Sequence, residues 1–141
     1  MDNRMYVEFD SVSDNEAFAR VTVAAFLTRL DPTLDEIEDV KTAVSEAVTN
    51  AIIHGYRNKE GRISLECLIH NREVTVIVRD EGVGIEDVDK AMEPLFTTRE
   101  EEERSGMGFS FMEIFMDSLN VQSKPSEGTT VIMKKNIGNL Y

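Results

Sequence analysis

The chain has a single cysteine, 3 prolines and no tryptophan, and its 15 lysines and arginines are outnumbered by 27 aspartates and glutamates. One cysteine excludes a disulfide framework. Cys67 lies in the alternating apolar run Ile63, Leu65, Cys67, Ile69, so it reads as a buried structural thiol rather than a nucleophile or metal ligand. A formal charge of −12 repels phosphates, which argues against autonomous binding to DNA, RNA or an anionic membrane and leaves basic protein partners as the natural complement. No stretch approaches the roughly 18 apolar residues that would span a bilayer, and Met1 to Arg4 lacks the apolar core of a signal peptide. A cytoplasmic location is expected. With 141 residues, 41% of them hydrophobic, the chain suits one compact domain over residues 1–141.

Short elements can be placed along it. Met5 to Phe9 alternates as a strand, and Ser13-Asp14-Asn15-Glu16 has the form of a capping box ahead of a helix over Ala17 to Leu30. Thr33-Leu34-Asp35-Glu36 repeats that form before a helix whose apolar positions are Ile37, Val40, Val44, Val48 and Ala51, with Gly55 as its stop. Arg62 to Ile69 and Val74 to Arg79 read as a hairpin around Asn71-Arg72. From Glu93 to Met107 no periodicity holds, and a structureless stretch of this length in a small domain is expected to be a functional lid, over about 93–107. Gly108 to Leu119 resumes as a helix, followed by strands near Asn120 to Ser123 and Thr129 to Lys134 with a turn at Pro125 to Gly128. Strands and helices do not alternate regularly. The expected class is therefore α+β, a two-layer sandwich with helices on one face of a mixed, mostly antiparallel sheet.

Three islands carry chemistry. Glu46, Asn50 and His54, spaced by four, stack on one helix face away from the apolar stripe. Asn50 can give Mg²⁺ a neutral oxygen, and Glu46 can take the proton of an attacking hydroxyl or hold a metal-bound water. His54, near the helix end, is read as complementing the dipole. Asp80-Glu81-Gly82-Val83-Gly84 follows a strand, but Asp87 occupies the third glycine position of a dinucleotide fingerprint, so that reading fails. A carboxylate there can instead accept the exocyclic amine of adenine, with Gly82 and Gly84 admitting the base close to the backbone. Gly106 and Gly108 precede a helix, where free N–H groups favour phosphate oxygens, and Arg104 beside them can reach a γ-phosphate. Thr129 and Thr130 either hydrogen-bond near the base or are simply β-branched strand residues.

In this order the islands resemble the ATPase and kinase superfamily shared by DNA gyrase, the Hsp90 chaperones, bacterial histidine kinases and MutL. Glu46-x-x-x-Asn50 matches its N box, Asp80-x-Gly82-x-Gly84 and Gly106-x-Gly108 its two glycine boxes, and Gly128-Thr129-Thr130 its closing motif. The stretches Val44 to Tyr56, Pro94 to Thr98 and Glu103 to Phe109 are similar, within that superfamily, to the anti-sigma-F factors of endospore-forming bacteria. The likeness runs from about Met5 to Lys135. It implies a Bergerat-type ATP-binding fold and a homodimeric serine protein kinase. Such a protein sequesters a sporulation sigma factor and uses Mg-ATP to phosphorylate an anti-anti-sigma protein, whose complex ADP favours. By motif position it implies Glu46 as base, Asn50 as Mg²⁺ ligand, Asp80 as adenine reader, and Gly106 and Gly108 as phosphate cradle; Arg104 stands with Glu46 as a catalytic candidate, against the alternative of a lid arginine pointing to solvent. Thr97, Thr98, Ser105, Met107 and Thr130 join the nucleotide-binding candidates. Arg20 falls at a partner contact, against the alternative of an ordinary exposed arginine. The chain departs from the pattern in its acidic segment Arg99 to Glu102 and in the tail Asn136 to Tyr141.

Two histidines, one in the N box and one in the hairpin, leave no phosphoacceptor domain for a histidine kinase, and the extra domains of gyrase or MutL relatives have no room. The alternatives are a stress-response anti-sigma kinase of the same family and an ATP-gated sigma-binding module without kinase activity. Glu46 weighs against the last, because binding alone has little need of a base.

Overall fold

The structure is a computed structural model and describes residues 2–93 and 109–138. Five strands, β1 (Asn3–Asp10), β2 (Arg62–His70), β3 (Glu73–Asp80), β4 (Ser118–Ser123) and β5 (Thr129–Asn136), form one sheet in the order β1-β2-β3-β5-β4. All four pairings are antiparallel. The helices α1 (Asp14–Leu27), α2 (Leu34–Asn50), α3 (Val88–Ala91) and α4 (Phe109–Phe115) complete the α+β fold.

The register explains the two layers. Leu65, Val78 and Val131 lie in one row across the central strands, and Cys67, Val76 and Met133 in another, all buried under α1 and α2. One residue along, Glu66, Ile77 and Ile132 point to the opposite, open face. Alternation thus gives each strand one apolar side, as period-2 patterning requires. The Cys67 thiol is fully buried, and burial pushes its pKa up to about 12, with Glu66 adding to the effect, which keeps it an inert packing group. Val40, Val44 and Val48 of α2 are likewise fully buried, each contributing about 1.5–3 kcal/mol of apolar transfer.

Of the two expected capping boxes, one forms. The Thr33 hydroxyl accepts from Glu36 N (3.1 Å) while Glu36 Oε1 accepts from Thr33 N (2.9 Å). Ser13 makes no side-chain cap, because its own backbone is already helical (φ −59, ψ −30). The entry to α1 is fixed instead by Asn15 Nδ2 donating to Asp10 O (2.9 Å). That helix accordingly runs Asp14–Leu27 and ends in a tighter turn, Thr28–Leu30. A second correction concerns α4, which stops at Phe115 rather than Leu119. Asp117 N donates to Lys134 O (2.8 Å) and Asp117 Oδ2 accepts from Asn136 N (2.7 Å), drawing Ser118 and Leu119 into β4. Phe109, Met112 and Met116 supply its buried side, whereas Phe111 is exposed. The lid expected over about 93–107 lies, apart from Glu93, outside the described residues.

Candidate nucleotide site

α2 does not end at Asn50. It widens into a π-helical turn, Ala51–Gly55, in which Tyr56 N donates to Ala51 O (2.9 Å). Such widened turns recur at functional sites. Here the turn carries Gly55 onto the end of β3. A Cβ on Gly55 would lie 2.8 Å from Asp80 Oδ1, and one on Gly82 would collide with the Gly55 carbonyl. Val83 N donates to that same carbonyl (2.9 Å). The loop after β3 and the end of α2 are therefore packed backbone to backbone, which explains the missing side chains at both positions.

Asp80 sits at the floor of the resulting crevice, with 6% of its surface exposed. The other lining residues include Asn50, His54, Gly84, Ile85, Phe109 and Thr129. Burial pushes the Asp80 carboxyl up to about 6, against the opposing backbone N–H groups of Gly82 and Thr129. Gly82 N donates to Oδ1 at 2.9 Å. The crevice is narrow, about 20 Å³, so a purine entering beside Asp80 has to part the apolar side chains that line it. A much larger groove, about 1100 Å³, lies on the open sheet face among Glu8, Asp10, Arg62 and Arg79. It holds none of the motif residues except Glu81, and chemistry rather than volume marks the smaller crevice as the site.

Asn50 and His54 both reach the crevice. Glu46 does not line it but lies one turn before Asn50 on α2, half-buried. Its carboxyl is raised above the ordinary range, first by burial and then by Glu16 of α1. Arg20, one turn beyond Glu16, holds its Nε 3.7 Å from Glu16 Oε1, and that nitrogen is buried without a hydrogen-bond partner. The distance along the helix from Glu46 to Gly55 is roughly 13 Å, a span suited to a nucleoside triphosphate laid between the two ends.

The closing motif needs one correction. Thr129 pairs with Asp80 in the ladder and shares its face, while Thr130 pairs with Arg79 on the other, its hydroxyl accepting from Arg79 Nε at 3.3 Å. Alternation along β5 puts Thr129 at the crevice and Thr130 away from it. Gly128 has φ +74, and a Cβ there would strike the Asp80 carbonyl. Residues not singled out by their sequence also build the site: Ser123 Oγ accepts from Ile85 N (2.8 Å) and donates to Gly128 O (2.7 Å), and Tyr56 bridges the loops. Thr97, Thr98, Arg104, Ser105, Gly106, Met107 and Gly108 lie outside the described residues.

This is the geometry of a histidine kinase-like ATPase domain, whose family profile matches residues 11–135. Among solved structures, the RsbU and RsbW domains of a Mycobacterium tuberculosis protein share the fold with a TM-score of 0.68 at 17% identity, over 96% of this chain and 32% of that longer one. The catalytic domain of histidine kinase ThkA gives 0.58 at 16% identity, over 94% of this chain and 96% of that one. An anti-sigma F factor of Clostridium kluyveri is 62% identical over 139 residues, 99% of this chain and 98% of its own. One from Thermoanaerobacter pseudethanolicus is 60% identical over 137 residues, 97% and 96% of the two chains. The chain belongs to the anti-sigma F factor family of histidine kinase-like ATPase domains. Among the described residues no helix is long and apolar enough to cross a membrane.

Proposed function

We propose that the chain is one ATP-binding kinase domain, residues 1–141 with a lid at about 93–107. In this reading it is a cytoplasmic homodimer that sequesters a sporulation sigma factor. As a serine protein kinase it phosphorylates, and so inactivates, the anti-anti-sigma antagonist. The observation that carries the reading is the arrangement along α2: a buried carboxylate, Asp80, at one end and a half-buried carboxylate, Glu46, at the other, with Asn50 between.

Asp80 accepts the exocyclic amine of adenine through its carboxylate, which is held in place by the Gly82 N–H on Oδ1. Gly82, Gly84 and Thr129 let the base approach the backbone. Asn50 offers one amide oxygen toward the phosphates. Asn50 would be the residue that holds Mg²⁺, and the ion would supply neutralisation of phosphate charge. The serine hydroxyl oxygen bonds to the γ-phosphorus, the bond from that phosphorus to the bridging oxygen breaks, and ADP leaves. Glu46 takes the hydroxyl proton, and its raised pKa suits a base. Arg104, Gly106 and Gly108, with Thr97, Thr98, Ser105 and Met107, are assigned to the phosphate side, and Arg20 to partner contact.

The test is incubation with γ-labelled Mg-ATP and the anti-anti-sigma protein, with mass spectrometry of the product. One phosphoserine is expected, and Glu46→Gln should lower the rate by roughly 10² to 10⁴ while sparing nucleotide binding. ATP binding without phosphate transfer would leave a nucleotide-gated sigma-binding module.

A further inference from the structure

The residue that ties the adenine end together stands just past the motif. Tyr56 follows the π-helical turn, and its phenol reaches two loops at once. The hydroxyl donates to Arg62 O (2.6 Å), at the start of β2, and accepts from Glu81 N (2.8 Å), the amide directly after Asp80. The ring lies where a Cβ on Gly61 would be, so the loop after Tyr56 folds flat against it. Its neighbour Gly55 meanwhile takes Val83 N–H on its carbonyl. Two successive residues of one turn thus bind the amides of Glu81 and Val83, on either side of the loop whose Gly82 N–H holds Asp80 Oδ1.

We propose that Tyr56 is a positioning residue for adenine recognition: its hydroxyl fixes the Asp80–Glu81 peptide and so aims the Asp80 carboxylate at the base. The proposal rests on the reading of Asp80 as the adenine-recognising carboxylate. Two hydrogen bonds to one hydroxyl, from segments 6 and 25 residues away in sequence, are more than packing of the ring requires. Arg62 O and Glu81 N belong to neighbouring antiparallel strands or their ends, where the ladder stops at Ile63 and Asp80. The phenol continues that ladder by one rung.

The experiment compares ATP with inosine triphosphate, which carries an oxygen where adenine carries its amine, by calorimetry on the full chain and on Tyr56→Phe. The phenyl ring retains its place over Gly61, and thermal unfolding checks that the variant is folded. The parent should favour ATP by one to two decades, the worth of a charge-assisted hydrogen bond. In Tyr56→Phe, ATP affinity should fall by about tenfold with inosine triphosphate changed less than about twofold, so that discrimination collapses. Equal weakening of both nucleotides, or an unchanged ratio, would overturn the role of Tyr56 and leave that of Asp80 standing. A parent that does not discriminate would overturn the Asp80 reading and the proposal with it.

Discussion

The two ends of the nucleotide crevice are built by different means. At the Asp80 end Gly55, Gly82 and Gly128 bring main chain against main chain, and Tyr56, Ser123 and the Asp80 carboxylate are each fixed by hydrogen bonds of 2.6–2.9 Å. At the other end Glu46 is placed by helix packing, the Glu16 carboxylate adds to burial in raising its carboxyl, and the Arg20 Nε is buried without a hydrogen bond. The first end is fixed by its own hydrogen bonds and close backbone contacts. The second has side chains whose polar needs are met only in part, as suits a surface completed by substrate or partner. Rigid recognition therefore lies beside open chemistry on the same helix.

Perturbing the rigid end should give the largest effects. Gly128→Ala puts a methyl group onto the Asp80 carbonyl and holds a β-carbon at φ +74. A left-handed residue costs about 1–2 kcal/mol and overpacking about 1–3, so stability should drop by about 3 kcal/mol and ATP binding should be lost with it. Urea unfolding and calorimetry measure both. A variant as stable as the parent would mean that β5 has room to shift.

Asp80→Asn separates recognition from folding. The amide cannot accept the adenine amine as the carboxylate does, so ATP affinity should fall by one to two decades. Stability should move the other way. Burial raises the folded carboxyl from 3.8 to about 6, so the ionised form is the costly one. That cost is absent below about pH 4, grows as pH rises toward 6 and is then constant, reaching about 3 kcal/mol at neutrality. The neutral amide avoids it, less whatever its own N–H groups lack in partners, for a net gain of about 1–2 kcal/mol. Urea midpoints at pH 7 and pH 4 test the sign: the gain should be present at the first and turn into a loss of about 1–2 kcal/mol at the second, where the ionisation cost is absent and only the amide's unmet N–H groups remain.

How much of this was legible in the sequence follows the same division. Spacing alone identified α2, its Thr33 cap, the hairpin and the carboxylate at the strand end, because each depends on neighbours within a few residues. The similar Ser13 pattern misled, since backbone conformation at that turn is set by where β1 delivers the chain. Thr129 and Thr130 could not be told apart before the register of β5 on β3 was known. Tyr56 passed unnoticed because its partners are separated in sequence, and the tail did so for the same reason. Arg72 in the hairpin turn donates to Ile137 O (2.6 Å) and to Leu30 O, and Gly138 N donates to the second oxygen of the Thr33 capping glutamate, Glu36, 102 residues away (2.8 Å). The segment that departs from the family pattern is thus tied to the structure over Asn136 to Gly138 by long-range bonds that no local pattern announces.

The open end should respond more gently, and in pH rather than in fold. Glu16→Gln removes the negative charge that adds to burial in raising Glu46. With burial the larger cause, the Glu46 carboxyl should move down toward its ordinary range without reaching it. A base acts only when deprotonated, so the acid limb of kcat/KM for phosphotransfer should shift to lower pH, with the plateau little changed. Stability should barely alter. The substitution relieves carboxylate repulsion between α1 and α2 but gives up the 3.7 Å pair with Arg20, and a partly exposed i,i+4 pair contributes only about 0.3–0.5 kcal/mol. ATP affinity should be untouched, because Asp80 packs against Gly55, roughly 13 Å further along the helix. A limb that stays in place would show that Glu16 and Glu46 do not share a field in solution. A loss of ATP affinity would show that the two ends are coupled more closely than their separate construction implies.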